Sequence, residues 1–293
     1  ALVHKPNDAT VALREGIFDY ARKRLEYDPA PLDAPQTFEF LSQHAGPTVT
    51  EEGLGGLQSL KLFENVLAPA TISTDHPGYL SFIPCAPTEA AKLFDLIVSA
   101  SAIYGGSWME GAGAVYAENE VLAWLAKEAG LPSSAGGVFV QGGTLGNLSA
   151  LVAARHKAAH ELKAAGKPRP ETWKFICSAE AHSSLKAAAA VMDVEIIKAE
   201  VGEDGRLRGP AVQAALEAAG EGVFAIVATG GTTNFGIVDR LDEIGKIAND
   251  NQIWFHVDGA YGLAGILAEE SKPLFAGLER ADSFIVDPHK WLF

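Results

Sequence analysis

The stretch Asp282-Ser283-Phe284-Ile285-Val286-Asp287-Pro288-His289-Lys290-Trp291 decides how the rest of the chain is read. Phe284 to Val286 is a short apolar run of the kind that forms a buried strand. Asp287 and Pro288 stop it, since proline offers no N–H to a sheet ladder. His289 and Lys290 therefore stand just past the end of a strand, where open α/β sheets hold their ligands. A lysine taken alone belongs on a solvated loop. At this edge it is a candidate amine nucleophile, and its neighbours decide between the two.

Working outward, strands and helices alternate from residue 138 onward. Val138-Phe139-Val140 reads as a strand, followed by Gln141-Gly142-Gly143-Thr144 and a helix from about Leu145 to Ala165. Phe175-Ile176-Cys177 is the next strand, with a helix after Ala181-His182-Ser183. Val194 to Lys198 is a strand, Pro210 opens a helix to Ala219, and Val223 to Thr229 is a strand. Asp239 to Asn249 is a helix and Ile253 to Asp258 a strand. Strands apolar on both faces, separated by helices, predict an α/β fold with a mostly parallel sheet covered on both sides.

Residues 1–75 read differently, as a helical N-terminal arm. Leu13, Ile17, Phe18, Ala21 and Leu25 form one apolar stripe, and Tyr27-Asp28-Pro29-Ala30-Pro31-Leu32 breaks the helix. Such an arm is poorly suited to fold alone and is expected to lie on a larger body or on a partner subunit. Residues 76–293 then form the main domain, with helical patterns at Pro87 to Ile103 and Val115 to Ala129, the latter closed by Gly130. The chain stops three residues after Lys290 on Trp291-Leu292-Phe293, which reads as the front part of a longer polypeptide.

Composition narrows the function classes. With 23 basic and 37 acidic residues the formal net charge is −14, which argues against nucleic acid and anionic membranes as partners. Neither a signal peptide nor a membrane span is visible. Cys85 and Cys177 are far apart, without metal-ligand spacing, and read as two buried thiols of a cytoplasmic protein. No metal site is expected.

Four clusters fall after predicted strands, on one edge of the sheet. Gly142-Gly143-Thr144-Leu145-Gly146-Asn147 opens a helix whose free N–H groups suit a phosphate, though the spacing is neither that of a Walker loop nor of a dinucleotide fingerprint. Phe255-His256-Val257-Asp258-Gly259-Ala260-Tyr261 puts His256 and Asp258 on the same strand face. Glu180-Ala181-His182-Ser183-Ser184 and Ala228-Thr229-Gly230-Gly231-Thr232-Thr233 follow two further strands. Each taken singly could be a turn or a cap. Together, lysine, aspartate, histidine and a phosphate cradle describe a pyridoxal 5′-phosphate site.

At this point Asp287-Pro288-His289-Lys290-Trp291 resembles the lysine motif of the group II pyridoxal-phosphate decarboxylases, the aromatic-L-amino-acid decarboxylase family. His76-Pro77, Ser107-Trp108, Gln141-Gly142, Ala181-His182-Ser183-Ser184, Ala228-Thr229, Gly231-Thr232-Thr233, Asp239 and His256-Val257-Asp258 follow the family's order and spacing. The resemblance implies fold type I with a C-terminal small domain outside this chain, and a homodimer with its sites at the interface. It implies Lys290 as the Schiff-base lysine, Asp258 as the partner of the pyridinium, and His182 stacked on the ring. Thr229 and Ala260 would contact the cofactor, Gly143, Thr144 and Leu145 would hold its phosphate, and His289 would lie near the phosphate end. Phe82, Ile83, Pro84, Gly106 and Trp108 would flank a small-molecule amino-acid substrate.

The activity implied is decarboxylation of an L-amino acid, aromatic in the first instance: tryptophan, tyrosine, Dopa or phenylalanine. Glutamate or diaminobutyrate, an aldehyde synthase, an aminotransferase or a cysteine desulfurase, and a cofactor-free homologue are the alternatives. The family's proton donor lies on a loop beyond residue 293, so the chain by itself is expected to be inactive. Gly106 stands where animal aromatic decarboxylases carry an aromatic residue, which would widen the pocket for an indole or signal another substrate. Asp287 stands where the family has asparagine. A carboxylate beside a phosphate is unfavourable unless it points away, so Asp287 is left out of the cofactor set.

Overall fold

The computed structural model describes residues 5–293. Two compact units divide at Asp95 and Leu96. In the first, α1 (Asp8–Leu25) begins at a capping box in which Asn7 and Thr10 satisfy each other's backbone N–H groups. It packs on α3 (Gly56–Leu62), which runs into a single π turn at Phe63–Leu67, while α2 (Phe38–Ala45) lies between them in sequence. Arg24 and Lys92 both reach Asp75, at 2.7 and 3.3 Å. No residue of α1, α2 or α3 is buried, and Ile17 and Phe18 of the expected stripe are over two-fifths exposed. The unit boundary falls inside α4 (Glu89–Ala100).

The second unit carries the sheet. After α5 (Trp108–Glu128) and α6 (Gly143–Ala164) come β1 (Lys174–Ser178), α7 (Ser183–Met192), β2 (Glu195–Ala199), α8 (Gly209–Ala219) and β3 (Val223–Thr229). Then follow α9 (Leu241–Asp250), β4 (Trp254–Asp258) and β5 (Ser283–Ile285). Among the described residues the five strands are all parallel, in the order β2-β1-β3-β4-β5. Gly130 closes α5 with φ +74°, the left-handed geometry expected of it.

Period-two alternation splits the strands between two cores. Ile176, Ile226, Ala228, Phe255 and Val257 face α8 and α9, while Phe175, Cys177, Ala225 and Val227 face α6 and α7. His256 and Asp258 alternate with Phe255 and Val257, so they point to the α6–α7 side.

Two expectations are corrected. Val138-Phe139-Val140 is not a strand: its backbone has no neighbour in the sheet, and the Phe139 N–H goes instead to the Glu118 carboxylate at 2.7 Å. Apolar, β-prone residues do not make a strand without a partner edge. Of the two cysteines only Cys177 is buried; Cys85 sits half-buried in a loop. Beside Gly106, the place a Cβ would take is filled by the Tyr104 ring.

Candidate active site

The parallel register brings the C-terminal ends of three strands level. Thr229 on β3 pairs with Asp258 on β4, and Asp258 pairs with Ile285 on β5. The N-termini of α6 and α7 face the same edge. Between them lies a cavity of about 250 Å3, and its walls include Lys290, Asp258, His182, Gly143, Thr144, Thr229, Ala260 and His289. Residues spread over nearly 150 positions thus share one wall, as their strand-end placement predicts.

Asp258 is 5% exposed. Its Oδ2 accepts from Asn147 Nδ2 at 2.8 Å and its Oδ1 from the Ala260 backbone N–H at 3.2 Å. Behind it His256 is fully buried, and burial pushes its imidazole down to about 4 against the opposing pull of Asp258, so it is neutral near pH 7. His256 Nε2 lies 2.9 Å from Asn147 Oδ1, and its Nδ1 lies 2.9 Å from Ser283 Oγ. No buried side-chain nitrogen or oxygen among the described residues lacks a hydrogen-bond partner.

His182 is the N-cap of α7. Its Nδ1 accepts from the Ser184 backbone N–H at 3.2 Å and lies 2.9 Å from Ser184 Oγ. The ring is thereby fixed by the helix start it caps. At α6 the N-cap is Gly142 with φ +86°, a conformation open to glycine, and no side chain caps the helix. The N–H groups of Leu145 and Gly146 turn back to Gly142 O, which leaves those of Gly143 and Thr144 as first-turn donors at the cavity wall. Together with the helix dipole this is a ready anion site.

Lys290 Nζ lies 2.9 Å from Asp287 Oδ2, with the side chains 20% and 9% exposed. The turn that makes this contact is held by the Asp287 N–H to Ala260 O and the Lys290 N–H to Asp287 O, both 3.1 Å. Asp287 thus points into the cavity rather than away from it, which reverses the reading that set it aside. It fits there because Gly143 has no Cβ: one would sit 3.2 Å from both Asp287 carboxylate oxygens. The i, i+3 spacing to Lys290 just after a strand was the available signal.

Other expected positions fall elsewhere. Leu145 is not part of the cavity wall, and its N–H is used within the helix. Trp108 is 59% exposed and Gly106 is exposed, and neither lines the cavity. Phe82, Ile83 and Pro84 belong to the first unit, with Phe82 and Ile83 at φ +61° and +70°. Asn147, Ser184, Thr232, Thr233 and Tyr261, members of the four clusters that had been given no role, also line the cavity. For Asn147 the clue was a poor helix former one turn into a helix. Among the described residues, no group of three or more His, Cys, Asp or Glu could hold a metal ion, and no helix is long and apolar enough to cross a membrane.

One further carboxylate organises this edge. Asp239 accepts from the Thr229 N–H at 2.7 Å and the Leu207 N–H at 2.8 Å, and so pins the end of β3. Burial pushes its carboxyl up to about 6, against the two N–H donors and Arg206.

Residues 49–293 match the model of the pyridoxal-dependent decarboxylase conserved domain. An aromatic-L-amino-acid decarboxylase of Bacillus atrophaeus is 34% identical over 270 residues, covering 90% of this chain and 55% of the relative. An L-2,4-diaminobutyrate decarboxylase of Rhizobium meliloti (strain 1021) is 36% identical over 224 residues, covering 74% of this chain and 44% of the relative. The chain thus spans about half the length of the curated relatives it matches. Among solved structures, the glutamate decarboxylase domain of diaminobutyrate-pyruvate transaminase and L-2,4-diaminobutyrate decarboxylase from Vibrio parahaemolyticus superposes with a TM-score of 0.85 at 26% identity. That match covers 99% of this chain and 66% of that one. Lysine, buried aspartate, capping histidine and uncapped helix therefore sit in the domain these proteins share, and the chain belongs to the pyridoxal-dependent decarboxylase family.

Proposed function

We propose that the chain forms the cofactor-binding part of a pyridoxal-phosphate-dependent decarboxylase acting on an L-amino acid, aromatic in the first instance, to give the amine and CO2. The observation that carries this reading is the convergence of Lys290, Asp258, His182 and the uncapped start of α6 on one cavity. The donor set fits the cofactor group by group. First-turn N–H groups of Gly143 and Thr144 suit the phosphate, a buried carboxylate at Asp258 suits a protonated ring nitrogen, and an amine at Lys290 suits an aldehyde.

Bound there, pyridoxal 5′-phosphate supplies an electron sink for the pair left at Cα when the carboxylate departs as CO2. Lys290 would hold the cofactor through its Nζ amine. Asp258, fixed through both oxygens, would orient the ring and hold the proton at its nitrogen. His182, at the start of α7, would face the ring, while Thr229 and Ala260 bound the cavity from the strand ends. Asp287 keeps the Lys290 side chain over the cavity.

The aromatic-L-amino-acid decarboxylase of Bacillus atrophaeus supports an aromatic substrate, and the diaminobutyrate decarboxylase relative supports a second reading with an aliphatic diamino acid. The helices α1 to α4 bury none of their residues, which supports a homodimer that covers them. Two free cysteines agree with a reducing, cytoplasmic setting.

The chain mixed with pyridoxal 5′-phosphate should develop a visible absorbance band, and Lys290→Ala should abolish it. Titration with tryptophan, tyrosine, Dopa, phenylalanine, glutamate and diaminobutyrate should then displace the band for one substrate class. A parent chain that is colourless once unbound cofactor has been removed would sink the proposal.

A further inference from the structure

A directed line of hydrogen bonds runs from the sheet into the cavity wall. It starts at Trp254 Nε1, a group that can only donate, 2.8 Å from Ser283 Oγ. His256 Nδ1 lies 2.9 Å from the Ser283 hydroxyl and 3.2 Å from the Ser283 carbonyl oxygen, so this end of the ring does not by itself fix the proton. The other end does: Asn147 must turn Nδ2 to the Asp258 carboxylate, so its Oδ1 meets His256 Nε2 at 2.9 Å and the proton sits there, with the Ser283 hydroxyl donating to Nδ1. The amide so oriented turns Nδ2 to two acceptors, Asp258 Oδ2 at 2.8 Å and Ser184 Oγ at 2.9 Å. Ser184 in turn serves His182: its backbone N–H shows that Nδ1 accepts, so the hydroxyl donates there as well and the His182 proton sits on Nε2.

We propose that His256, acting through Asn147, is a positioning residue that sets at once the orientation of the Asp258 carboxylate and the tautomer of His182. The inference rests on the proposed cofactor site. The opposite arrangement fails on lone pairs. With its proton on Nδ1, His256 would present a bare Nε2 to Asn147 Oδ1. Flipping the amide to cure this would turn Oδ1 against the Asp258 carboxylate and leave that carboxylate a repulsive neighbour. Neutrality of His256 supports the single-tautomer line, since burial holds its imidazole at about 4. Burial points the same way: Asn147, Ser184, His256 and Asp258 are 1%, 3%, 0% and 5% exposed, so their polar groups depend on one another for hydrogen bonds. A buried network with every member satisfied fixes one geometry, and a missing member releases several.

Two measurements test this. In the cofactor-free chain, long-range 1H–15N correlation of labelled histidines should show His256 and His182 both protonated at Nε2; a His256 proton at Nδ1 overturns the inference. In the second, cofactor affinity and the position of its visible band are compared among the parent, His256→Leu and His256→Gln, with the thermal transition of each cofactor-free form as a folding control. His256→Leu should bind pyridoxal 5′-phosphate roughly tenfold more weakly with a displaced band. His256→Gln, which can put an amide N–H where Nε2 stood, should recover most of both. A folded His256→Leu chain with parental affinity and band refutes the positioning role. A parent chain that binds no cofactor overturns the proposed function, while the histidine tautomers of the cofactor-free chain decide the positioning role separately.

Discussion

Replacing Asp239 by alanine removes a carboxylate that accepts two backbone N–H groups, from Thr229 at 2.7 Å and Leu207 at 2.8 Å. Each orphaned buried N–H costs about 1–3 kcal/mol, so the two bonds together set a loss of about 2–6 kcal/mol. The loss should depend on pH in a definite direction. Burial holds the folded-state value at about 6, above the ordinary 3.8. The folded chain therefore binds this proton more tightly than the unfolded chain. The stability this adds is full below about 3.8 and is lost as pH rises through 6. By linkage, the burden of the ionised group is about 2 kcal/mol at pH 5.5 and about 3 kcal/mol at pH 8. Alanine carries no such burden, so the gap between parent and Asp239→Ala should narrow by about 1 kcal/mol from pH 5.5 to pH 8. Urea unfolding followed by tryptophan fluorescence measures both gaps, and pH 5.5 stays above the isoelectric point of about 5.0. A gap that widens with pH would refute the reasoning: the two N–H donors and Arg206 would then outweigh burial and hold the carboxylate ionised.

Gly143→Ala places a Cβ 3.2 Å from both Asp287 carboxylate oxygens and 3.3 Å from the Ala260 Cβ, and so pushes on the partner of Lys290. Alanine favours the helix by up to about 1 kcal/mol, so global stability should hold while cofactor affinity falls roughly tenfold; equal affinity in a spectrophotometric titration would count against the cradle. Gly262→Ala should act oppositely, on stability. Its Cβ would run into the Gly230 carbonyl oxygen and lie 2.9 Å from Gly231 Cα, both backbone atoms, and a loss of about 1–3 kcal/mol in denaturant unfolding is expected. An unchanged midpoint would show that these turns can part.

The alternation of β3, α9, β4 and β5 is visible in sequence because each strand is a short apolar run closed by a glycine, a proline or a polar turn. The rule that ligands gather at strand ends then nominates Lys290, Asp258, His182 and Thr229, and these do meet in one cavity. Period two also puts His256 on the same side as Asp258. These are properties of local spacing, and local spacing is written directly in the order of residues.

Tertiary structure decided the rest, wherever an outcome depends on a partner far along the chain. Val138 to Val140 has the residues of a strand but no sheet edge to pair with, so a carboxylate at Glu118 takes the Phe139 N–H. The space beside Gly106 is filled by the Tyr104 ring, which no local spacing foretells. Asp287 was set aside on charge alone, yet a turn of three residues and the missing Cβ of Gly143 put it beside Lys290. The bond from Asn147 to His256 joins residues 109 positions apart. A hydrogen bond needs about 3 Å and a fixed angle, and only the packed sheet and helix supply both.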